Sequence, residues 1–365
     1  MVLWRPPCGK QGRSVSRAAE GVRASDPQQP GMTRLGVGLI GCGVMGRSLA
    51  RQLVELDSAF LAGVADVQPV AAAQAAAELG GVAAYESAEA LLDRPEVQAV
   101  LIASPGFQHR PLTELAASRG KHVFVEKPMA TNVPDCDGMI AAAERAGVLL
   151  MVGQVLRFHP YPSTIIETVR RGDLGAIWGM NVTRIGGGYG GVWKQDWRNS
   201  RANSGGVLME VNAHEVDFMR QVCGRVVRVY AEARHFDATP IDYPDLNYVS
   251  LRFESGAIGL LHSSQVCALG DSSGMVQGSE GTMLYAGHLG EGGELHWKRR
   301  SGELTVFRAR EMEIEVPVRR EVRLFVEAVQ QGLPSPIPGA EGRENVRVAE
   351  AAYQSAETGE PVLLS

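Results

Sequence analysis

A lysine stands at the end of a strongly apolar run in "HVFVEKPMA", residues 122–130. The segment Val123–Val125 predicts a buried strand, and Glu126, Lys127 and Pro128 follow it directly. A lysine side chain normally extends into solvent, and the proline restricts this one to extended backbone geometry. We therefore expect Lys127 to emerge at the edge of a sheet, where its charge can stabilise an anion that develops during a reaction.

A glutamate and a histidine lie four residues apart in "SGGVLMEVNAHEVDFMRQV", residues 204–222. The spacing predicts that Glu210 and His214 share one side of a single helix, with Asp217 three positions further on. A histidine exchanges protons near neutral pH, and a neighbouring carboxylate can hold its tautomer. The alternative is a solvated row of ion pairs with His214 at the surface, which the spacing alone favours. Glu210 and His214 could also bind a metal ion, but the segment offers no third ligand at a recognisable spacing.

A glycine-rich stretch precedes this segment, "RIGGGYGGVWKQDWRNS", residues 184–200. It carries the aromatic and cationic side chains of Trp193, Lys194, Trp197 and Arg198. Aromatic faces with polar groups suit a sugar-like ligand, whose ring offers C–H faces and hydroxyl groups. A surface loop anchored in the core by Trp197 is the alternative interpretation.

Three glycines in "GLIGCGVMGRSLA" follow the spacing G-x-G-x-x-G between a predicted strand and a predicted helix. Gly41 permits the tight turn, Gly43 lets the backbone approach a pyrophosphate, and Gly46 lets the helix pack on the strand. The start of the helix, with Val44 and Met45, offers free N–H groups to the phosphates. The motif predicts a dinucleotide site.

An aspartate ends the second predicted strand, 20 positions after Gly46. Asp66 is placed to accept hydrogen bonds from ribose hydroxyl groups and to repel a 2′-phosphate, and "DVQPVAAA" contains no arginine or lysine to accommodate one. The sequence therefore predicts NAD rather than NADP. A ligand-free loop with an aspartate that only caps the next helix is the alternative.

The elements that must position these residues alternate along the first half of the chain. Continuous apolar strands separated by helices indicate a parallel sheet covered on both faces, a doubly wound α/β Rossmann fold. After about residue 175, β-rich stretches and the hairpin pattern "FESGAIG" predict an α+β domain with a large, mostly antiparallel open sheet. We expect an NAD-binding domain over 33–155 and a domain for substrate binding and oligomerisation over 156–365. Helices are predicted near 46–57, 110–119, 134–146, 316–331 and 342–358.

Composition excludes several classes of partner. The net charge of −5 over 365 residues gives no general attraction to nucleic acid or anionic membranes, and no apolar run is long enough to span a bilayer. Five scattered cysteines without a C-x-x-C pair favour a reducing, cytoplasmic setting and argue against a disulfide framework or a cysteine zinc site. Residues 1–32 are predicted to be a disordered tail, or to precede the true start of translation at Met32. A transit-type leader is the alternative.

Together these residues resemble the glucose–fructose oxidoreductase, inositol dehydrogenase and MocA (Gfo/Idh/MocA) family of NAD(P)-dependent enzymes. The similarity runs from about residue 34 to the C-terminus and rests on "GLIGCGVMG", "IASPGFQH", "GKHVFVEKPMA", "WRN" before "SGG", and "GGVLMEVNAH". It implies that Lys127 lies beside the nicotinamide and the substrate carbinol, and that the Lys127–Pro128 bond is cis. Glu210 and His214 occupy the two positions of the family's acid/base pair, D-x-x-x-H.

The resemblance also implies the wider site. Its catalytic residues would be Lys127, Glu210 and His214. Cofactor contacts beyond the glycine motif and Asp66 would come from Ser104, Pro105, His109, Glu126 and Lys127. Substrate contacts would come from Lys127, Arg157, Trp197, Arg198, Glu210 and His214.

The expected activity is the reversible, NAD-dependent oxidation of a secondary hydroxyl group on a sugar, sugar derivative or cyclitol. One alternative is a glycosidase or isomerase that oxidises its sugar transiently with tightly held NAD. Another is an NAD-binding regulator without activity. A homodimer or homotetramer is expected.

Overall fold

Two β-sheets organise the chain in the computed structural model, which describes residues 34–187, 196–236, 240–288 and 291–365. The residues from Arg34 to Ser365 form one compact unit. The predicted tail over 1–32, together with Trp193 and Lys194, lies outside the described residues.

The first sheet has six parallel strands in the order β3-β2-β1-β4-β5-β6. Its strands are β1 (Leu35–Ile40), β2 (Ala59–Ala65), β3 (Ala84–Tyr85), β4 (Ala99–Ile102), β5 (His122–Val125) and β6 (Leu150–Val152). The helices between and beside them are α1 (Val44–Val54), α2 (Pro69–Glu78), α3 (Ala88–Leu92), α4 (His109–Ser118) and α5 (Val133–Ala146). The predicted doubly wound Rossmann sheet is confirmed, and β3 and α3 are elements that the sequence pattern did not predict.

The central strands end at the same level. Ile40 pairs with Ile102, and Ile102 pairs with Val125, so β1, β4 and β5 finish side by side. All six residues of β1 and all four of β4 are buried, as expected for strands that are covered on both faces. The residues that follow these strands therefore share the carboxyl edge of the sheet, where ligands bind in folds of this class.

The second sheet has nine strands in the order β14-β13-β12-β11-β7-β10-β9-β8-β15. Its strands are β7 (Ile177–Gly187), β8 (Val226–Arg234), β9 (Leu246–Phe253), β10 (Ile258–Ser264), β11 (Val266–Gly278), β12 (Gly281–His288), β13 (Glu291–Arg299), β14 (Leu304–Arg308) and β15 (Val362–Leu363). In this sheet β7 and β10 pair in parallel, and their other neighbours pair antiparallel. The prediction of a large, mostly antiparallel sheet is confirmed, and so is the hairpin between β9 and β10, where Gly256 has φ +87°.

The remaining helices cover this sheet and return to the first one. They are α6 (Pro160–Arg170), α7 (Arg201–Ser204), α8 (Val207–Glu210), α9 (Ala213–Cys223), α10 (Pro317–Gln331) and α11 (Gly339–Thr358). Helix α9 lies on the inner face of the second sheet, where Phe218 packs against Tyr285 with ring centroids 6.2 Å apart. Helix α10 packs on the first sheet through Phe325 and Phe124, whose centroids are 5.8 Å apart.

The outer face of the second sheet exposes apolar side chains on β9, β10 and β12. Tyr248, Ile258, Leu260 and Leu284 are each between 45% and 51% exposed. Apolar patches of this kind are frequent where copies of a chain associate, and the predicted homodimer or homotetramer stays a prediction. In the described ranges, every helix is too short or too polar to cross a membrane.

Candidate active site

A glycine turn and the start of α1 form one side of the cleft at the edge of the first sheet. The first intrahelical bond runs from the Arg47 N–H to the Gly43 carbonyl oxygen, so the N–H groups of the first turn point out of the helix. The first turn has no side-chain cap and no acidic residue. A Cβ added at Gly43 would meet no protein atom within 4 Å, whereas one at Gly46 would collide with the Gly41 carbonyl oxygen. This open, uncapped cradle fits a pyrophosphate.

The carboxylate of Asp66 is fixed beside this turn. Its Oδ2 accepts the Cys42 N–H at 2.7 Å, and its Oδ1 accepts the Gln68 N–H at 2.8 Å. Asp66 is partly exposed, so each oxygen keeps a lone pair for a ribose hydroxyl group. The Cys42 thiol behind it is buried, and burial together with the Asp66 charge raises its pKa to about 12. The residues present therefore fit NAD.

The loop after β4 brings Ser104 and Pro105 to the same edge. The Ser104 Oγ is enclosed and has no hydrogen-bond partner. His109 lies behind this loop, fully buried, with Nε2 2.8 Å from the Ser104 carbonyl oxygen and Nδ1 2.8 Å from that of Pro128. His109 thus ties the loop after β4 to the loop after β5, and burial lowers its pKa.

Lys127 connects the first sheet to the second half of the chain. Its Nζ donates a hydrogen bond of 2.6 Å to the Glu210 carbonyl oxygen, and its backbone N–H donates to Glu126 Oε2 at 3.0 Å. The Lys127–Pro128 peptide bond is cis, as expected. Burial raises the pKa of Glu126 to about 6, and the Lys127 cation opposes this shift.

The prediction that Glu210 and His214 lie on one helix is wrong. The chain forms α7, α8 and α9 in succession, and a turn at Val211 and Asn212 separates Glu210 from His214. The Glu210 Oε1 is bound instead by Arg198, whose Nε and Nη2 both lie 3.1 Å away. The His214 Nδ1 has no hydrogen-bond partner, so Glu210 does not hold the tautomer of this histidine.

His214 is nevertheless an enclosed, neutral base. Burial lowers its pKa well below 6.5, and the positive charges of Lys127, Arg184 and His159 lower it further. A neutral imidazole with an unpartnered ring nitrogen can accept a proton from a hydroxyl group that enters this space.

Trp197 and Arg198 belong to a 3₁₀ turn, Asp196–Asn199. The Arg198 guanidinium lies 4.3 Å from the centroid of the Trp197 ring, and the Tyr243 hydroxyl donates to the Arg198 carbonyl oxygen at 2.8 Å. Both side chains are half-buried. The structure therefore brings Arg198, Glu210 and Lys127 together at one end of the cleft.

Arg157, expected among the substrate contacts, lies in an ion-pair network between helices. Its Nε and Nη2 donate to both oxygens of Asp217 at 2.6 and 2.5 Å, and Nη2 also donates to Glu341 at 2.9 Å. The Asn345 amide donates to Asp217 at 3.1 Å. These contacts hold α9 against α11. Both Asp217 oxygens are bound by Arg157, so Asp217 does not serve as the carboxylate that holds the tautomer of His214.

Arg184, whose charge acts on His214, is a residue that the sequence analysis missed. It follows Met180 and Val182 on one face of β7, where these two residues are 3% and 2% exposed. A cation that continues a buried apolar row with period two was the signal available in the sequence. Across the described ranges, no three side chains of the metal-binding types come together as a metal site.

Comparison with known proteins now identifies the family. Residues 35–154 match the model described as "Oxidoreductase family, NAD-binding Rossmann fold", and residues 163–284 match the GFO/IDH/MocA C-terminal domain. The chain belongs to the GFO/IDH/MocA family. The resemblance found in the sequence is confirmed, and the chain is an NAD(P)-dependent oxidoreductase that acts on CH–OH groups, with NAD as its cofactor.

Similar family members include myo-inositol 2-dehydrogenase from Thermotoga maritima, 30% identical over 90% of this chain and 98% of that protein. The crystal structure of aldose–aldose oxidoreductase from Caulobacter crescentus in complex with glycerol has a TM-score of 0.81 and 28% identity, covering 91% of this chain and 100% of that one. The NAD complex of GenD2 from gentamicin A biosynthesis has a TM-score of 0.78 and 26% identity, covering 94% of this chain and 100% of that one.

Proposed function

We propose that this protein oxidises, reversibly, a secondary hydroxyl group of a sugar, sugar derivative or cyclitol with NAD. The observation that carries the proposal is the enclosed His214, neutral and unpartnered at Nδ1, in the field of the Lys127 cation. A base and a cation beside the edge of a dinucleotide-binding sheet are the groups that alcohol oxidation requires. The names of the relatives, an inositol dehydrogenase and an aldose–aldose oxidoreductase, support this substrate class.

In the proposed reaction His214 takes the proton of the substrate hydroxyl group. The Lys127 ammonium stabilises the developing alkoxide and fixes its oxygen. The lysine is held for this role because its Nζ donates to the Glu210 carbonyl oxygen at 2.6 Å, which leaves two further N–H groups for a ligand. Bound NAD supplies the acceptor for the hydride.

Glu210 acts through its neighbours in this proposal. Its carbonyl oxygen orients Lys127, and its carboxylate orients Arg198, whose guanidinium covers the Trp197 ring. These contacts support the proposal that a sugar ring packs against Trp197 and Arg198. The Rossmann residues Gly43, Asp66 and Ser104 are proposed as the cofactor contacts.

The test is a panel of inositols, aldoses, anhydrosugars and glycosides, each offered with NAD and with NADP. Formation of NADH with at least one polyol or sugar, and its loss in His214→Ala, is the expected result. Bond cleavage or isomerisation without accumulation of NADH would favour the transient-oxidation alternative. Tight NAD binding without turnover of any substrate would favour the regulator.

A further inference from the structure

The inner face of the second sheet changes from apolar to polar as it approaches the site. Met180 and Val182 on β7 are buried, and Arg184 continues the same row. In register with Arg184 lie Ser263 on β10 and Ser272 on β11, which are 0% and 6% exposed. An arginine that is half-buried between two buried serines is an unusual composition for the inner face of a sheet.

This polar row adjoins the proposed acid/base. The Ser263 Oγ donates to Asn212 Oδ1 at 2.6 Å, and Asn212 directly precedes α9, two residues before His214. The positive charge of Arg184 is one of the causes that lower the pKa of His214. The Arg184 Nη1 and the His214 Nδ1 are both enclosed and unpartnered, and the guanidinium is near enough to act on the charge of the imidazole.

The Arg184 guanidinium has a donor without an acceptor there. Its Nη1 is enclosed and has no hydrogen-bond partner, and none of the carboxylates in the described ranges forms an ion pair with it. Glu215, whose pKa its charge lowers, accepts a hydrogen bond from the Asn212 amide at 3.1 Å instead, and burial raises the pKa of that carboxyl group. An enclosed cationic donor without an acceptor is costly unless a ligand supplies one.

The other charged residues of the site do not supply an acceptor for Arg184 either. The Glu210 carboxylate is bound by Arg198, and Lys127 donates to a neutral carbonyl oxygen. Two cations, Lys127 and Arg184, thus act on the space around His214, and both lower the pKa of that histidine. A substrate carboxylate would give the unpartnered Arg184 donor a planar pair of charged acceptors, which a neutral sugar lacks.

We propose that Arg184 binds a carboxylate group of the substrate, so that the site takes sugar acids, aldonic or uronic, in preference to neutral sugars. This inference rests on the proposed function, because it names the substrate class of the same site. Lys127 and His214 act on the hydroxyl group that is oxidised, and Arg184 fixes the acid group of the same molecule.

The test measures binding to the NADH-loaded full-length protein by calorimetry, with matched pairs of neutral and acidic ligands. The pairs are D-glucose with D-glucuronate, D-galactose with D-galacturonate, and D-glucitol with D-gluconate. At least one acid is expected to bind about 10- to 100-fold more tightly than its neutral partner. Arg184→Gln should abolish this preference. Arg228→Gln, which changes an exposed arginine on β8 of the same sheet, should retain it.

The affinity for NADH checks that each variant is folded. If Arg184→Gln loses it, Arg184→Lys is the informative variant, because it keeps the charge and should retain part of the preference. Equal affinity for acids and neutral sugars in the wild type overturns the inference. So does a preference that survives in Arg184→Gln, or a sugar phosphate that binds more tightly than the matching acid.

Turnover separates this inference from the proposed function. An Arg184-dependent preference for acids without reduction of NAD would leave the inference standing and contradict the proposed dehydrogenase. Reduction of NAD by neutral sugars, with no gain in kcat/KM for the acids, would support the proposed dehydrogenase and overturn the inference about Arg184.

Discussion

One methyl group at Gly43 tests the cofactor cradle. The residue has φ −69° and ψ −169°, an extended conformation that alanine adopts, and its added Cβ meets no protein atom within 4 Å. Reduced freedom of the unfolded chain stabilises such a variant by about 0.4–1 kcal/mol, and the poorer N-cap costs roughly the same. The free energy of unfolding of Gly43→Ala without cofactor should therefore change by less than about 1 kcal/mol.

The same methyl group enters the space proposed for the pyrophosphate. Overpacking of a fitted site costs about 1–3 kcal/mol, which corresponds to a rise of about 5- to 150-fold in the Kd for NAD. Calorimetric titration with NAD and thermal unfolding of the cofactor-free protein measure the two quantities separately. The expected result for Gly43→Ala is a weakened affinity with unchanged stability.

Two glycines serve as controls. Gly46→Ala forces a Cβ into the Gly41 carbonyl oxygen, so both stability and affinity should fall. Gly302 lies in the hairpin between β13 and β14, where an added Cβ would be 3.4 Å from the Arg299 Cβ. Gly302→Ala should therefore change neither the stability nor the affinity for NAD. Wild-type affinity in Gly43→Ala would refute the position of the cradle, and a marked loss of its stability would refute the reasoning from open space.

Three further predictions concern titratable groups. His214→Ala should lower kcat by about 10²–10⁴-fold with an unchanged Kd for NAD; full turnover would assign the proton to another group. Protonation of Glu126, whose pKa burial raises to about 6, should weaken binding of the cationic nicotinamide below that pH, and Glu126→Gln should remove this dependence from NAD titrations; its persistence would contradict the assignment. Burial raises the pKa of Glu321 well above its usual value. The free energy of unfolding of the wild type should therefore fall as pH rises from the unfolded-state pKa of Glu321 to its folded-state pKa. The fall is about 1.4 kcal/mol for each pH unit in that range. Glu321→Gln should therefore raise Tm at high pH and not at low pH, and an equal effect at both would exclude this cause.

The first sheet and its edge were predictable because their signals are local. The buried run of β5, the glycine spacing of α1 and the acid at Asp66 each depend on a few consecutive residues. Parallel strands also place their carboxyl ends together without further information. Lys127 was thus found at the sheet edge from its position after β5 alone.

The second half of the site depends on contacts between distant segments. The spacing of Glu210 and His214 suggested one helix, but the turn at Asn212 and the pairing of Glu210 with Arg198 decide their geometry. The position of Arg184 beside Ser263 requires the register between β7 and β10, which a single sequence does not specify. Arg157 pairs with a carboxylate 60 positions away.

The central claim is that a substrate carbon gives its hydride to NAD in the space between Lys127 and His214. Transfer of deuterium from a substrate labelled at the carbinol carbon, detected by mass spectrometry of the NADH formed, tests it most directly. We expect deuterium in the NADH that the wild type forms. Lys127→Met should form no deuterated NADH, although its affinity for NAD is unchanged. Unlabelled NADH, or transfer at the wild-type rate in Lys127→Met, would contradict the claim.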